Sequence, residues 1–488
     1  MSKTVCLVVS LALAAIVGSN VLAVADELPD LGEAARAELS PQLERRIGER
    51  IMNEIRSREP SYVDDADIND YLNRLGGRLV TASTNPLSEC HFFAIRDGMI
   101  NAFAMFGGFI GVNTGTILTA QSESELAGVL AHEISHVQQN HLARNLAREK
   151  QNSLAMMIAM AVGVLAARSN SQIANATIAS AQAGAIQSQL AYSRDFEREA
   201  DRVGFQTLRQ AGFDVHGMGD FFGRLLQAGR VYDNSAPVYL RSHPLTLERI
   251  SDMQNRAQDA SYRQVADSLE FHLVRAKLRV QAGAPGEQVR EFTNQLREKK
   301  YPSEAGVRYG LSYALLQAKD WSAAQREMDA LLALKTNSPM IGRLHGEIRR
   351  AAGDSSGAIA VYRQALQRFP QSKSLIYGYA EAMLAGRQHE QALNFLSSQL
   401  AVHGNDDKLY ALQAKTFAAA GKRLQQHRAQ AEAYLLQGQL GAAVEQMTFA
   451  QQAGDGNFFE QSAVDARLRE LKKLLADELK EKRAGNGI

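Results

Sequence analysis

Val129-Leu-Ala-His-Glu-Ile-Ser-His-Val137 is the stretch on which the reading of this 488-residue chain turns. It lies in a run with helical periodicity that begins after Ser122, and Glu125 three residues on completes a candidate capping box. His132 and His136 stand four residues apart, so a helix points both imidazoles the same way and lets them share one ion. Glu133, beside the first histidine, is placed to take a proton from a water that such an ion polarises. Two neutral imidazoles around a borderline-soft cation, with a carboxylate as base, make up a zinc hydrolase. The competing reading is a helix with two ordinary, satisfied histidines, and the rest of the chain decides between them.

A zinc site needs a third protein ligand. His141 is close in sequence, but on a continuing helix it is rotated about 140° from the pair. It is expected at the surface or behind a ligand. Downstream, Tyr192-Ser-Arg-Asp-Phe-Glu-Arg-Glu-Ala-Asp-Arg-Val203 reads as a helix with Glu197 and Asp201 on one face. One of these carboxylates suits the metal and the other suits orienting a ligand histidine; Glu199, on a different face, is the further candidate. Arg194, Arg198 and Arg202 interleave with the acids, as on a solvated, ion-paired helix. His243, in Ser242-His-Pro-Leu-Thr-Leu-Glu-Arg-Ile250, is pinned by Pro244 ahead of a helix start. It suits a fourth zinc ligand at rest, a donor to an oxyanion, or a plain solvent-facing histidine.

Residues 1–25 read as a signal peptide. Lys3 supplies the positive end, Val5 to Val17 an apolar stretch, and Ala23-Val24-Ala25 the cleavage site. The stretch is short for a membrane span, so export is expected, with an uncleaved anchor as the alternative. A formal net charge of +1 gives no steering toward nucleic acid or an anionic membrane. Of the two cysteines, Cys6 lies in the signal segment; Cys90 has no internal disulfide partner and suits a small buried hydrophobe.

Ser40-Pro41 opens a helix with Leu43, Ile47, Ile51 and Ile55 along one face. A second helix carries Ile68, Leu72, Leu75 and Leu79 and ends near Gly76-Gly77 or a few residues beyond. Strands are expected at about 90–96 and 108–113, joined through Asn101-Ala-Phe-Ala-Met-Phe-Gly-Gly108, whose glycines permit a tight turn. An edge strand here, just ahead of the histidine helix, would be able to pair with an extended peptide. Leu154 to Ala167 is a 14-residue uncharged stretch. It suits a buried or occluding helix, or one in peripheral contact with a membrane, but not a span.

From about residue 262 the chain turns to alanine-rich paired helices. Asp320-Trp321…Ala324…Met328, Gly353-Asp354…Ala358…Tyr362 and His389…Ala392…Leu396 recur every 34 residues, the tetratricopeptide interval. A further match at Gly438 to Ala443 with Met447 lies 51 residues after Ala392, a slip of half a repeat, and 457–481 suit a capping helix.

Together these residues resemble the HtpX-type zinc peptidases, in the branch of periplasmic β-barrel assembly-enhancing proteases that carries C-terminal tetratricopeptide repeats. The shared pieces are Asn101-Ala-Phe-Ala with Gly107-Gly108, His132-Glu-Ile-Ser-His136, Ser193-Arg194 with Glu197 and Asp201, and His243-Pro244 with Arg249. The similarity covers essentially the whole mature chain and departs from the family pattern at none of the metal positions.

The resemblance implies an α+β, mainly helical fold: a zincin-type metallopeptidase domain (26–261) after the signal peptide, then a tetratricopeptide α-solenoid (262–488). It implies one zinc per chain held by His132, His136 and Glu197, Glu133 as general base, Asp201 as the acid behind a ligand, and His243 as a switch able to take a fourth position. It implies a periplasmic endopeptidase acting on unfolded or stalled outer-membrane β-barrel proteins and working with their assembly machinery. The alternative is a repeat-protein chaperone or scaffold whose peptidase domain is vestigial.

Overall fold

A computed structural model describes residues 40–83, 89–148, 194–231, 238–258 and 265–485. The signal segment, the 154–167 stretch and the 261/262 boundary lie outside the described residues. The chain is mainly helical, with one small mixed sheet followed by a helical solenoid.

Helix α1 (Pro41–Arg58) begins where Ser40 Oγ accepts the Leu43 N–H at 3.3 Å, and it buries Ile47, Ile51 and Ile55. Helix α2 (Ala66–Ala82), capped by Asp65, buries Ile68, Leu72, Leu75 and Leu79 and runs on past its glycine pair. Gly76 is there for packing: a Cβ on it would lie 2.2 Å from the Phe92 ring. The sheet has the order β1-β3-β2, with β1 (His91–Ile95) parallel to β3 (Phe109–Asn113) and β2 (Ala102–Ala104) antiparallel to it. The two longer strands fall where periodicity puts them. The three-residue β2 lies inside the stretch read as a turn, too short to show an alternation of its own. Gly107 and Gly108 make the reversal into β3 with φ of 72° and 80°, backbone that side chains with a Cβ rarely adopt.

After α3 (Thr114–Thr119) comes α4 (Glu123–Gln138), the histidine helix. Ser122 Oγ accepts the Glu125 N–H at 3.3 Å, but the Glu125 carboxylate reaches back to the Gln121 N–H at 2.7 Å, one residue before the capping-box position. Every residue of α4 except Val137 is buried, so it is a core helix and not an amphipathic one. Short α5 (His141–Arg148), then α6 (Arg194–Gln210), α7 (His216–Val231), α8 (Val238–Ser242) and α9 (Leu247–Gln258) complete the first domain among the described residues.

The solenoid stacks α10 (Leu269–Ala282), α11 (Pro285–Glu298), α12 (Glu304–Gln317), α13 (Trp321–Ala333), α14 (Pro339–Ala351), α15 (Ser355–Arg368), α16 (Lys373–Ala385) and α17 (His389–Val402), and then α18 (Asp407–Ala419), α19 (Arg423–Leu436), α20 (Leu440–Gln452) and α21 (Phe458–Gly485). Ala324, Ala358 and Ala392 are fully buried on α13, α15 and α17, where the small side chain lets paired helices close up. The 51-residue offset places Ala443 on α20, three helices after α17. The stack therefore continues unbroken while the small-residue role passes to the other helix of the pair.

The two parts share one continuous core. Phe271, Leu273 and Val274 of α10 pack with the apolar residues of α2 and α4. The Glu123 carboxylate accepts hydrogen bonds from Tyr71, from the Ser268 N–H and from Ser268 Oγ at 3.1, 3.0 and 2.6 Å. Lys277 reaches Asp65 and Asp67 at 2.8 and 2.7 Å, and Lys408 meets Asp64 at 2.6 Å, so the solenoid holds the start of α2 from two separated helices.

Candidate metal centre

Close backbone approaches wedge α4 between α6 and α7. A Cβ on Gly204 of α6 would lie 3.1 Å from the Ala131 carbonyl and the His132 nitrogen. One on Gly217 of α7 would lie 2.7 Å from the Ser124 carbonyl carbon. Glu197, Asp201, Gly204 and Leu208 share one face of α6 at helical spacing, so the glycine that lets the helices touch also aims both carboxylates at α4.

His132 and His136 bring their Nε2 atoms to 3.0 Å from each other. The Glu197 carboxylate lies 3.5 Å from the first and 3.4 Å from the second. His243 enters from the turn after α8, its Nδ1 3.0 Å from Glu197 and 3.4 Å from His132 Nε2, its ring stacked on Tyr239 at 4.6 Å. One ligand atom from each of His132, His136, Glu197 and His243 lies within 4.8 Å of all the others, and all four residues are buried. Glu133 borders the cluster, 3.5 Å from His243 Nε2, and neither of its oxygens accepts a hydrogen bond from a described residue.

Asp201 stands behind His132, 3.0 Å from Nδ1 though off the ring's N–H direction. Arg249 donates to it twice, at 2.6 and 2.8 Å, reaches Glu197 at 2.7 Å, and is itself tied to the Pro244 carbonyl at 2.8 Å. Burial works to raise Asp201, but the Arg249 guanidinium outweighs it and holds the carboxyl below its usual range. Glu197 is likewise pushed up by burial and held well below its usual range by the histidines around it. Burial drives His136 well below an ordinary imidazole. His132, opposed by the same burial, is lifted to about 9 by Asp201 and Glu197.

His141 does not sit at the surface. Helix α4 ends at Gln138, and Asn140 takes a left-handed φ of 51°, so His141 opens a new helix that turns back on the old one. The rotation expected of a continuing helix never accrues. The ring is fully buried, with Nδ1 2.9 Å from His136 Nδ1 and Nε2 3.2 Å from Glu199, which Arg144 also meets at 3.1 Å. Glu199 thus lies outside the cluster, behind His141. Arg198 occupies the solvated side of α6, pairing with Asp195 and Glu248. Tyr239 and Phe222 wall the site beside His132 and carry no sequence signal of their own.

The donor set fits zinc. Three buried carboxylates (Glu133, Glu197 and Asp201) face one buried guanidinium (Arg249). With the imidazoles neutral, as metal ligands must be, a divalent cation would neutralise the two unbalanced negative charges. Imidazole and carboxylate donors at this mutual spacing suit a tetrahedral ion.

Residues 67–257 match peptidase family M48, and 349–416 match a tetratricopeptide repeat. A beta-barrel assembly-enhancing protease of Yersinia pestis is 32% identical, covering 92% of both chains. The protein of that name from Escherichia coli (strain K12) is 30% identical, again over 92% of each. A mitochondrial metalloendopeptidase of Schizosaccharomyces pombe, OMA1, is 27% identical over 39% of this chain and 53% of its own. Among solved structures, a tetratricopeptide repeat protein from Parabacteroides merdae is similar over 51% of this chain and 98% of its own, at a TM-score of 0.29 and 12% identity.

Proposed function

Because this chain belongs to the beta-barrel assembly-enhancing proteases, zinc metalloendopeptidases of peptidase family M48, we propose that it works in the periplasm on misfolded or stalled outer-membrane β-barrel proteins. The observation that carries the catalytic part is the buried His132–His136–Glu197–His243 cluster, with a Glu133 carboxylate at its edge that accepts no hydrogen bond from a described residue. On this reading His132, His136 and Glu197 hold one zinc, and His243 takes the fourth position at rest. When bound, the metal supplies Lewis-acid polarisation of a water and of the scissile carbonyl.

The chain's own groups do the remainder. The Glu133 carboxylate takes the proton of the attacking water and returns it to the departing amine. Arg249 keeps Asp201 ionised and pairs with Glu197, and Asp201 orients His132 through its outer nitrogen. Short edge strand β2 lies beside α4 and suits pairing with an extended peptide. The solenoid is the natural docking surface for the substrate or for the barrel-assembly machinery. Among the described residues no helix is long and apolar enough to cross a membrane.

Purified full-length protein offered a urea-denatured outer-membrane barrel, the same barrel folded in detergent, and casein tests the substrate class. Preferential cleavage of the denatured barrel is expected. Casein cleaved equally well would remove the barrel preference, and no cleavage of any substrate would favour a scaffold.

A further inference from the structure

His136 is held from behind by a different device from the one behind His132. Its Nδ1 meets Nδ1 of a second buried imidazole, His141, at 2.9 Å, and that ring's Nε2 meets Glu199 at 3.2 Å. Glu199 is anchored in turn by Arg144, whose guanidinium also lies over the Phe196 ring at 4.5 Å. Phe196 stacks on the His141 ring at 4.4 Å with 14° between planes, which fixes the plane in which its two nitrogens lie.

The order of donors follows from what each atom is able to give. An ionised carboxylate only accepts, so the hydrogen between Glu199 and the neutral His141 ring sits on His141 Nε2. That leaves His141 Nδ1 as an acceptor, so the hydrogen between the two rings sits on His136 Nδ1. His136 Nε2, which faces His132 and Glu197, is then a bare lone pair.

We propose that Glu199 and His141 are positioning residues that set the tautomer of His136 through a carboxylate–imidazole–imidazole relay, and so present its Nε2 to a divalent metal. The inference rests on the reading of the cluster as a zinc site. A metal-binding histidine generally needs such an outer partner, and losing one typically weakens the metal about 10–100-fold. Breaking the relay removes the acceptor that holds the hydrogen on His136 Nδ1 and favours the other tautomer, in which Nε2 carries the hydrogen and cannot bind.

The test uses full-length protein stripped of metal. Zinc affinity is read by competition with a chromophoric chelator, and the visible spectrum of the cobalt(II)-loaded protein reports ligand geometry. His141→Ala should weaken zinc about 10–100-fold and change the cobalt bands, and His141→Asn, whose carbonyl offers His136 an acceptor, should restore part of the affinity. Glu199 is partly exposed, so Glu199→Gln tests the relay even where His141→Ala fails to fold. Its amide is able to donate to His141 and release the tautomer, and a loss of several-fold is expected. Folded Glu199→Gln and His141→Ala proteins with wild-type zinc affinity and an unchanged cobalt spectrum would overturn the relay. Wild-type protein that binds no stoichiometric zinc would overturn the site itself, a separate failure.

Discussion

His243 brings its Nδ1 to 3.0 Å from Glu197 and 3.4 Å from His132, and on the proposed reading it takes the position that a working zinc enzyme keeps for water or substrate. It arrives on the turn after α8, where its own N–H is tied to the Tyr239 carbonyl at 2.8 Å and Arg249 holds the Pro244 carbonyl at 2.8 Å. His243→Ala should therefore raise basal cleavage of a generic unfolded substrate by about 5-fold or more, with zinc retained by the other residues. Loss of cleavage with zinc retained would instead identify His243 as a donor to the oxyanion. At this scale His132, Glu133 and His136 are legible because helical spacing alone aligns them. His141 is legible only as one of two alternatives, surface or behind a ligand; the second holds, through a left-handed step at Asn140 that has no periodic signature. Tyr239 and Phe222 are equally silent, since an aromatic on a helix reads as core wherever it lies.

Among elements, the contact of α6 with α4 decides whether the third ligand reaches the pair. Gly204 is two turns along α6 from Glu197 and touches the backbone at Ala131 and His132. A branched side chain there must push α6 outward, because it meets backbone and not a flexible side chain. Gly204→Val should cost about 1–3 kcal/mol by overpacking and weaken zinc about 10-fold as Glu197 is drawn away. Urea unfolding and chelator competition check both parts; a folded variant with wild-type zinc affinity would show that α6 is not held by this contact. The helices themselves are read correctly from apolar spacing and caps, Ser40 and Ser122 among them. Strand β2 is missed because three residues are too few to alternate. The end of α2 is left between the glycine pair and a few residues beyond because a glycine that admits the Phe92 ring reads like one that stops a helix.

Over the whole molecule, the 34-residue period makes the solenoid plain, but nothing periodic announces that it grips the first domain. That grip depends on pairs such as Lys277 with Asp65 and Asp67, more than 200 positions apart. Burial pushes Asp65 up, but Lys277 outweighs it and holds the carboxyl below its ordinary value. A depressed carboxyl contributes stability that is fully present above its unfolded pKa, near 4, and is lost as pH falls through the lower folded one. Lys277→Met, which leaves buried carboxylates unpaired, should lower the unfolding free energy by about 3 kcal/mol at neutral pH. The gap to wild type should narrow on acidification between about pH 5 and pH 3. Equal stability at neutral pH, or a gap that widens in acid, would contradict this role.

The proposed catalysis depends above all on one ion per chain with Glu133 beside it. Metal content and cleavage of an unfolded barrel, measured together on wild type, Glu133→Gln and Glu197→Ala at limiting zinc, test that most directly. The expected result is one zinc in wild type and in Glu133→Gln, cleavage at least about 100-fold lower in Glu133→Gln, and zinc largely lost from Glu197→Ala. Undiminished zinc in Glu197→Ala, or full proteolysis by Glu133→Gln, would contradict it.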